Sequence, residues 1–150
     1  MKISIISPGK FKKTPPLSEI FHYYKRRINI KIELIELKKY DFEKKKKLEF
    51  EKTEIKKHLN PEDCVVVLDK NGSMGSSEDF SIFLKKKMLS SNRRICFLIG
   101  SELGLDNFFK DSFISMSLGN HTWPHMLVRI MLVEQIYRSL EIIKGSPYHK

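Results

Sequence analysis

Alanine is absent from the 150 residues, and lysine outnumbers arginine 22 to 6. A bias of this kind fills solvated positions with Lys and Ile for reasons unrelated to function. The net charge of +10 therefore has two readings at this point, compositional drift or attraction for a polyanion. Cysteine is scarce as well. Cys64 and Cys96 each sit at the edge of an apolar run without Cys-x-x-Cys spacing, which argues against a metal centre or a disulfide and for two small buried hydrophobes. No apolar run approaches the ~20 residues that span a bilayer. Met1 to Ser7, stopped by Pro8-Gly9, is too short for the core of a signal peptide. No membrane association is expected, and a cytoplasmic location follows. Neither Gly-x-Gly-x-x-Gly nor a phosphate loop ending in Gly-Lys-Ser/Thr is present, which counts against nicotinamide and nucleoside-triphosphate chemistry.

What is present fits one folded domain over residues 1–150. The length supports a single core, and a hydrophobic fraction of 41% argues against disorder. The charge is unevenly placed: residues 1–60 hold 17 Lys/Arg against 8 Asp/Glu, while residues 61–150 hold 11 against 10. A positive field concentrated in one part of the chain attracts and steers a nucleic acid, with an affinity that falls as salt rises.

Periodicity predicts alternating strands and helices. Residues 2–7 read as a strand before the Pro8-Gly9 turn, and Leu17 to Ile28 as a helix with Ser18 as cap. Ile30 to Leu37 reads as a second strand. Asp41 to Leu59 reads as a highly charged helix whose apolar positions are Phe42, Leu48, Ile55 and Leu59. Cys64 to Leu68 and Ile95 to Ile99 are continuous apolar runs, the pattern of strands covered on both faces. Asn71 to Gly75 reads as a loop, Glu78 to Leu89 and Leu105 to Lys110 as helices, Phe113 to Ser117 as a strand and His125 to Lys144 as a long final helix. The expected fold is α/β, a mostly parallel sheet flanked by helices on both faces.

In open α/β sheets ligands bind where loops leave the carboxyl ends of strands, and three such loops follow Leu68, Ile99 and Ser117. Gly100 and Gly104 either admit a ligand close to the backbone or simply turn the chain. The last helix is apolar nearly all round over His125 to Val133. This predicts packing against the sheet and a second subunit, the alternative being a well-buried helix of a monomer. Arg129, flanked by apolar residues, must find an anionic or subunit partner. His22 and His58 read as surface residues.

At this point a resemblance becomes specific. Ser115-Met116-Ser117-Leu118-Gly119-Asn120-His121-Thr122-Trp123-Pro124-His125-Met126-Leu127-Val128-Arg129, then Glu134 to Ser139, then the terminal Ser146-Pro147-Tyr148-His149-Lys150, resemble the RlmH family of SPOUT-class RNA methyltransferases. Phe97 to Gly100 and Met1-Lys2-Ile3 add to the match, which runs in order through the whole chain. The resemblance implies a homodimer with a C-terminal trefoil knot, binding S-adenosylmethionine and methylating N3 of a pseudouridine in large-subunit ribosomal RNA, on the assembled ribosome. Carried onto this sequence, the cofactor contacts are Leu68, Gly100, Ser101, Gly119, Asn120, His121, Thr122, Trp123 and Pro124, with backbone groups dominant. The sequence departs from the family at Gly100-Ser101, where a paired glycine is usual, and at Gly119-Asn120-His121, where smaller apolar or hydroxyl residues are common.

Transfer to a uracil-like N3 requires loss of a weakly acidic proton or stabilisation of the developing anion. The resemblance places Arg138, Tyr148 and His149 in that role, although residues so near a terminus are ordinarily frayed and solvated. Arg129 and His125 read as structural, His125 as a neutral ring hydrogen-bonding the 118–124 loop. Lys44, Lys45, Lys46, Lys47, Lys56 and Lys57 are the candidates for RNA backbone contacts, which position without specifying sequence. No metal is expected. Two rivals differ in class: a non-catalytic RNA-binding or ribosome-association factor, and a SPOUT methyltransferase with another target, such as a ribose 2′-hydroxyl in transfer RNA.

Overall fold

The computed structural model describes residues 1–11, 14–90 and 94–150. The elements run β1 (Lys2–Pro8), α1 (Pro15–Lys25), β2 (Lys31–Leu37), α2 (Lys44–Lys56), β3 (Cys64–Met74), α3 (Ser77–Leu89), β4 (Arg94–Ile99), α4 (Asn107–Ser112), β5 (Ile114–Ser117) and α5 (His125–Lys144). The strands form one sheet in the order β2-β1-β4-β3-β5, with every pairing parallel. Parallel neighbours need crossover connections, and the helices that make them cover both faces.

The two-residue period of the strands divides the core. Ile3, Ile5, Val66, Ile95, Phe97 and Ile99 pack with Phe21 of α1, Leu84 of α3 and Leu132, Val133 and Ile136 of α5. Ile6, Val65, Val67, Cys96 and Leu98 face the other way, onto Ile55 of α2 and Phe109 of α4. Cys64 and Cys96 are buried free thiols in this core, and burial pushes the Cys96 thiol up to about 12, so it stays protonated. No helix among the described residues is long and apolar enough to cross a membrane.

The mostly parallel α/β sheet agrees with expectation; several local features differ. Helix α1 begins at Pro15-Pro16, with Thr14 rather than Ser18 at the N-cap position. Helix α2 begins at Lys44, and residues 40–43 are irregular. Asn71 to Met74 do not form a free loop. They extend β3, which bulges after Leu68 and resumes pairing at Ser73 with Met116 and Met74 with Ser117 of β5. At Gly72 a Cβ would lie 2.7 Å from the backbone of Met116, so the strands approach this closely only with glycine there. His58 is half-buried rather than on the surface, and its carbonyl accepts from Arg94 Nη2 at 2.7 Å.

Arg129 is fully buried and finds its partners within the chain. Its guanidinium donates to Glu36 Oε1 on β2 at 3.0 Å, Ser7 Oγ at 3.2 Å, and the carbonyls of Pro8 and Gly9 at 2.5 and 2.9 Å. Glu36 Oε1 also accepts from the Phe11 backbone at 2.9 Å. One charged side chain of α5 thus ties together the carboxyl ends of β1 and β2.

Candidate active site

The bulge of β3 at Leu68 to Asn71 and the carboxyl ends of β4 and β5 open onto a cavity of about 810 Å³, so the first of the three loops expected from the sequence is a bulged part of a longer strand. It is within the range of small-molecule sites, and it lies where parallel sheets place them. Leu68, Gly100, Ser101, Gly119, His121, Thr122, Trp123 and Pro124 line it, so of the expected cofactor contacts only Asn120 does not. Leu68, Ile99, Leu118 and Val128 supply apolar wall, while Asp69, Lys70, Lys110, Lys39 and Glu102 bring charge to it. Lys110 pairs with Asp69 at 2.9 Å.

The loop after β4 is held from α2. Ser101 Oγ donates to Glu51 Oε2 at 3.0 Å, and Lys47 pairs with Glu102. Lys39 approaches the other oxygen of Glu102 at 3.3 Å. The Lys47 ammonium, helped by the Glu102 backbone N–H and Lys39, holds the Glu102 carboxyl down at about 2. Burial raises the pKa of Glu51, whose Oε1 has no hydrogen-bond partner. The serine that departs from the family's glycine pair is therefore the residue that meets Glu51. The sequence signal for these anchors was the i, i+4 spacing of Lys47, Glu51 and Ile55, which puts two charges on the buried face of α2. Lys47, expected among the contacts to the RNA backbone, is 8% exposed and committed to Glu102.

His125, first residue of α5, lines the same cavity. Burial lowers its pKa to about 4, helped by Lys39 and Arg129, so the ring is neutral near pH 7. Nδ1 is buried without a partner, so the hydrogen bond expected with the 118–124 loop is not made there.

Arg138, Tyr148 and His149 do come together. Gly145 ends α5 in the left-handed region at φ +74, and the Ser146 N–H bonds back to the Glu141 carbonyl at 3.0 Å, reversing the chain over the helix. The tail then docks on Glu134, which sequence reasoning did not single out. Its Oε1 accepts from Arg138 Nη2 at 2.6 Å and from the Tyr148 hydroxyl at 3.1 Å. His149 meets Arg138 at 3.2 Å through Nδ1 and Glu78 at 2.7 Å through Nε2. The His149 contact pulls the Glu78 carboxyl down to about 2, while partial burial and Glu134 push the Tyr148 phenol up to about 12.

None of these three tail-cluster residues lines the 810 Å³ cavity. Their anchor Glu134 borders a second, apolar cavity of about 690 Å³, edged by Tyr24, Met74, Phe80, Phe83 and Met131; Leu68, Leu118 and Gly119 are common to both cavities. Along α5, Met126, Leu127, Ile130 and Met131 remain only half-buried. Among the described residues no group of three or more His, Cys, Asp or Glu could hold a metal.

Of the lysine candidates, Lys44, Lys45, Lys46, Lys56 and Lys57 are exposed. The first turn of α2 is all lysine, with no acidic residue and no side-chain cap. Cations there oppose the helix dipole at a cost of about 0.3–1 kcal/mol each in the unscreened case, so helix stability does not account for them.

A parallel α/β sheet with a strand bulge and two glycine-containing strand-end loops gathered over one cavity is a fold that binds small molecules and serves enzymes. The family model described as "Predicted SPOUT methyltransferase" matches residues 1–149, and this chain belongs to the SPOUT methyltransferase family. The chain is similar to the ribosomal RNA large subunit methyltransferase H of Caldicellulosiruptor bescii, 41% identical over 99% of both chains, and to that of Enterococcus faecalis, 38% identical over the full length of both. The RlmH resemblance read from the 115–129 segment and the tail is thereby borne out. A solved structure, that of a probable methylase family protein from Haemophilus influenzae, shares the fold with a TM-score of 0.56 and 12% identity, covering 99% of this chain and 70% of that one.

Proposed function

We propose that this chain, as a cytoplasmic homodimer, transfers a methyl group from S-adenosylmethionine to N3 of a pseudouridine in large-subunit ribosomal RNA, acting on the assembled ribosome. The observation that carries the reading is the convergence of the bulged stretch Leu68 to Asn71 of β3 with the loops after β4 and β5 on one cavity lined by eight of the nine expected cofactor contacts. The names of the relatives point to the same substrate class. The C-terminal trefoil knot implied by the resemblance is part of this proposal.

The donor set fits the cofactor. Apolar wall from Leu68, Ile99, Leu118 and Val128, with the Trp123 ring at the rim, suits an adenosine, and the Asp69 and Glu102 carboxylates neutralise Lys110, Lys47 and Lys39 around the cavity. A neutral His125 adds no positive charge against a sulfonium. When bound, S-adenosylmethionine supplies an electrophilic methyl group, which leaves orientation and water exclusion to the protein. Gly100, Ser101, Gly119 and His121 to Pro124 would orient the cofactor through backbone groups, while Asn120 is exposed and outside the cavity wall.

Arg138 can stabilise the anion that develops on the base, and His149 can take the N3 proton on Nδ1 once Arg138 turns from that nitrogen to the base. The raised Tyr148 phenol remains protonated at neutral pH, so its role is to stack on or position the base. The tail cluster and the cofactor cavity do not share lining residues within one chain. In this reading a second protomer, seated on the half-buried face of α5, brings its tail to the cavity. Ribosomes carrying or lacking the pseudouridine, incubated with methyl-labelled S-adenosylmethionine, test the proposal. Mass spectrometry of digested RNA is expected to find N3-methylpseudouridine only in the former. A ribose-methylated product, or no label in either, would overturn it.

A further inference from the structure

Tyr40, Phe42 and Phe50 belong to neither half of the core. They form a half-buried cluster of their own on the β2–α2 connection and the outer side of α2. The Tyr40 and Phe42 rings lie parallel within 5°, centroids 5.4 Å apart, and Phe50 meets Tyr40 edge-on at 4.3 Å. Lysine rims the cluster: Lys38 Nζ sits 5.0 Å from the Tyr40 centroid and Lys46 Nζ 4.9 Å from that of Phe42. Lys44 and Lys45 are exposed beside them in the turn of α2 that opposes its own dipole. Among the described residues, none of Lys38, Lys44, Lys45 and Lys46 has a carboxylate within 4.0 Å, although Asp41 and Glu43 lie in the same segment.

We propose that this aromatic and lysine cluster is a docking platform for an unpaired stretch of RNA, with Tyr40 and Phe42 stacking on bases and Lys38, Lys44, Lys45 and Lys46 meeting the flanking phosphates. Charge complementarity commits the surface to a polyanion, and the ring faces commit it to one whose bases are accessible, which a continuous duplex does not offer. The lysines now over the rings are exposed, and an exposed cation–π contact is weaker than base stacking. A base can therefore displace the ammonium, which moves to a neighbouring phosphate. The platform is also continuous with the cofactor cavity. Lys39, in the same connection, lines that cavity and pairs with Glu102, so a strand lying on the platform leads to its mouth. This rests on the RNA-methyltransferase reading and adds where the substrate is gripped.

Fluorescence anisotropy with a short oligouridine and an RNA duplex of equal length tests it, at several salt concentrations. The wild-type chain is expected to prefer the single strand. The double variant Tyr40→Leu/Phe42→Leu, which keeps apolar packing but removes the rings, is expected to bind about tenfold or more weakly with an unchanged salt slope. Lys44→Gln/Lys45→Gln/Lys46→Gln is expected to flatten the slope. Unchanged melting temperature establishes that each variant is folded. Wild-type-like binding by the aromatic variant, preference for duplex, or equal binding of polyglutamate would each overturn the platform, the last pointing to an acidic protein partner. S-adenosylmethionine titration of the same proteins separates the two readings: failure of the wild type to bind it counts against the methyltransferase proposal and leaves the platform judged by the RNA data alone.

Discussion

Arg138 Nη1 lies 3.2 Å from His149 Nδ1, with His149 Nε2 2.7 Å from Glu78 on the far side of the ring. A guanidinium can only donate, so Nδ1 must accept, and the ring proton resides on Nε2, where it donates to the carboxylate. Two helices and the chain terminus are thereby joined through one imidazole.

The Nε2-protonated tautomer of His149 is the first prediction. Long-range proton–nitrogen spectra at neutral pH should show a pyridine-like Nδ1 and a pyrrole-like Nε2. Arg138→Gln should remove the preference and free the tail, seen as increased backbone mobility at Tyr148 and His149. A protonated Nδ1 in the wild type would contradict the arrangement.

Arg129 supports a second prediction. Arg129→Met removes a fully buried cation that satisfies Glu36, Ser7 and two carbonyls, and it should destabilise the fold by about 3–5 kcal/mol in urea unfolding. Arg129→Lys should recover only part of this, because an ammonium cannot reproduce the planar fork that reaches four acceptors. A loss within 0.5 kcal/mol of zero would show that the guanidinium does not tie β1 to β2.

His125 sets a pH dependence. Its folded-state pKa lies near 4, below its ordinary value of 6.5, so between these pH values the unfolded chain binds more protons than the folded one. The stability contributed by keeping the ring neutral is complete above about pH 6.5 and is lost as pH falls towards about 4. His125→Gln should flatten the stability profile across that window. Glu78 and Glu102, both held near 2, act below it, between about pH 4.5 and 2. An unchanged slope in the His125 variant would mean that its titration is not linked to folding.

The order of elements was legible because the signals were strong where tertiary structure agrees with them. Cys64 to Leu68 and Ile95 to Ile99 are apolar without interruption and form the central strands, and α5 spans His125 to Lys144 as its pattern predicts. The second half of β3 was hidden, because Asn71-Gly72-Ser73 carries turn chemistry while its pairing to β5 comes from backbone groups beyond a bulge. Lys47 and Glu51 were hidden for a related reason: a charge run reads as solvated, and only the fold supplies Glu102 and Ser101 as their partners. The segments expected to hold a cofactor were read from their likeness to a family, and their convergence required the sheet order to bring β4 beside β3 and β3 beside β5. Glu134 lay within the segment that carries the family resemblance and Glu78 outside it, but neither showed its role, since both matter only once Gly145 has turned the tail back.

Calorimetric titration of the folded chain with S-adenosylmethionine tests the central claim most directly. Saturable binding is expected, competed by S-adenosylhomocysteine and accompanied by a change in emission of Trp123, the single tryptophan and a residue of the cavity wall. No heat and no competition from a folded protein would contradict the assignment of the 810 Å³ cavity as the methyl donor's site.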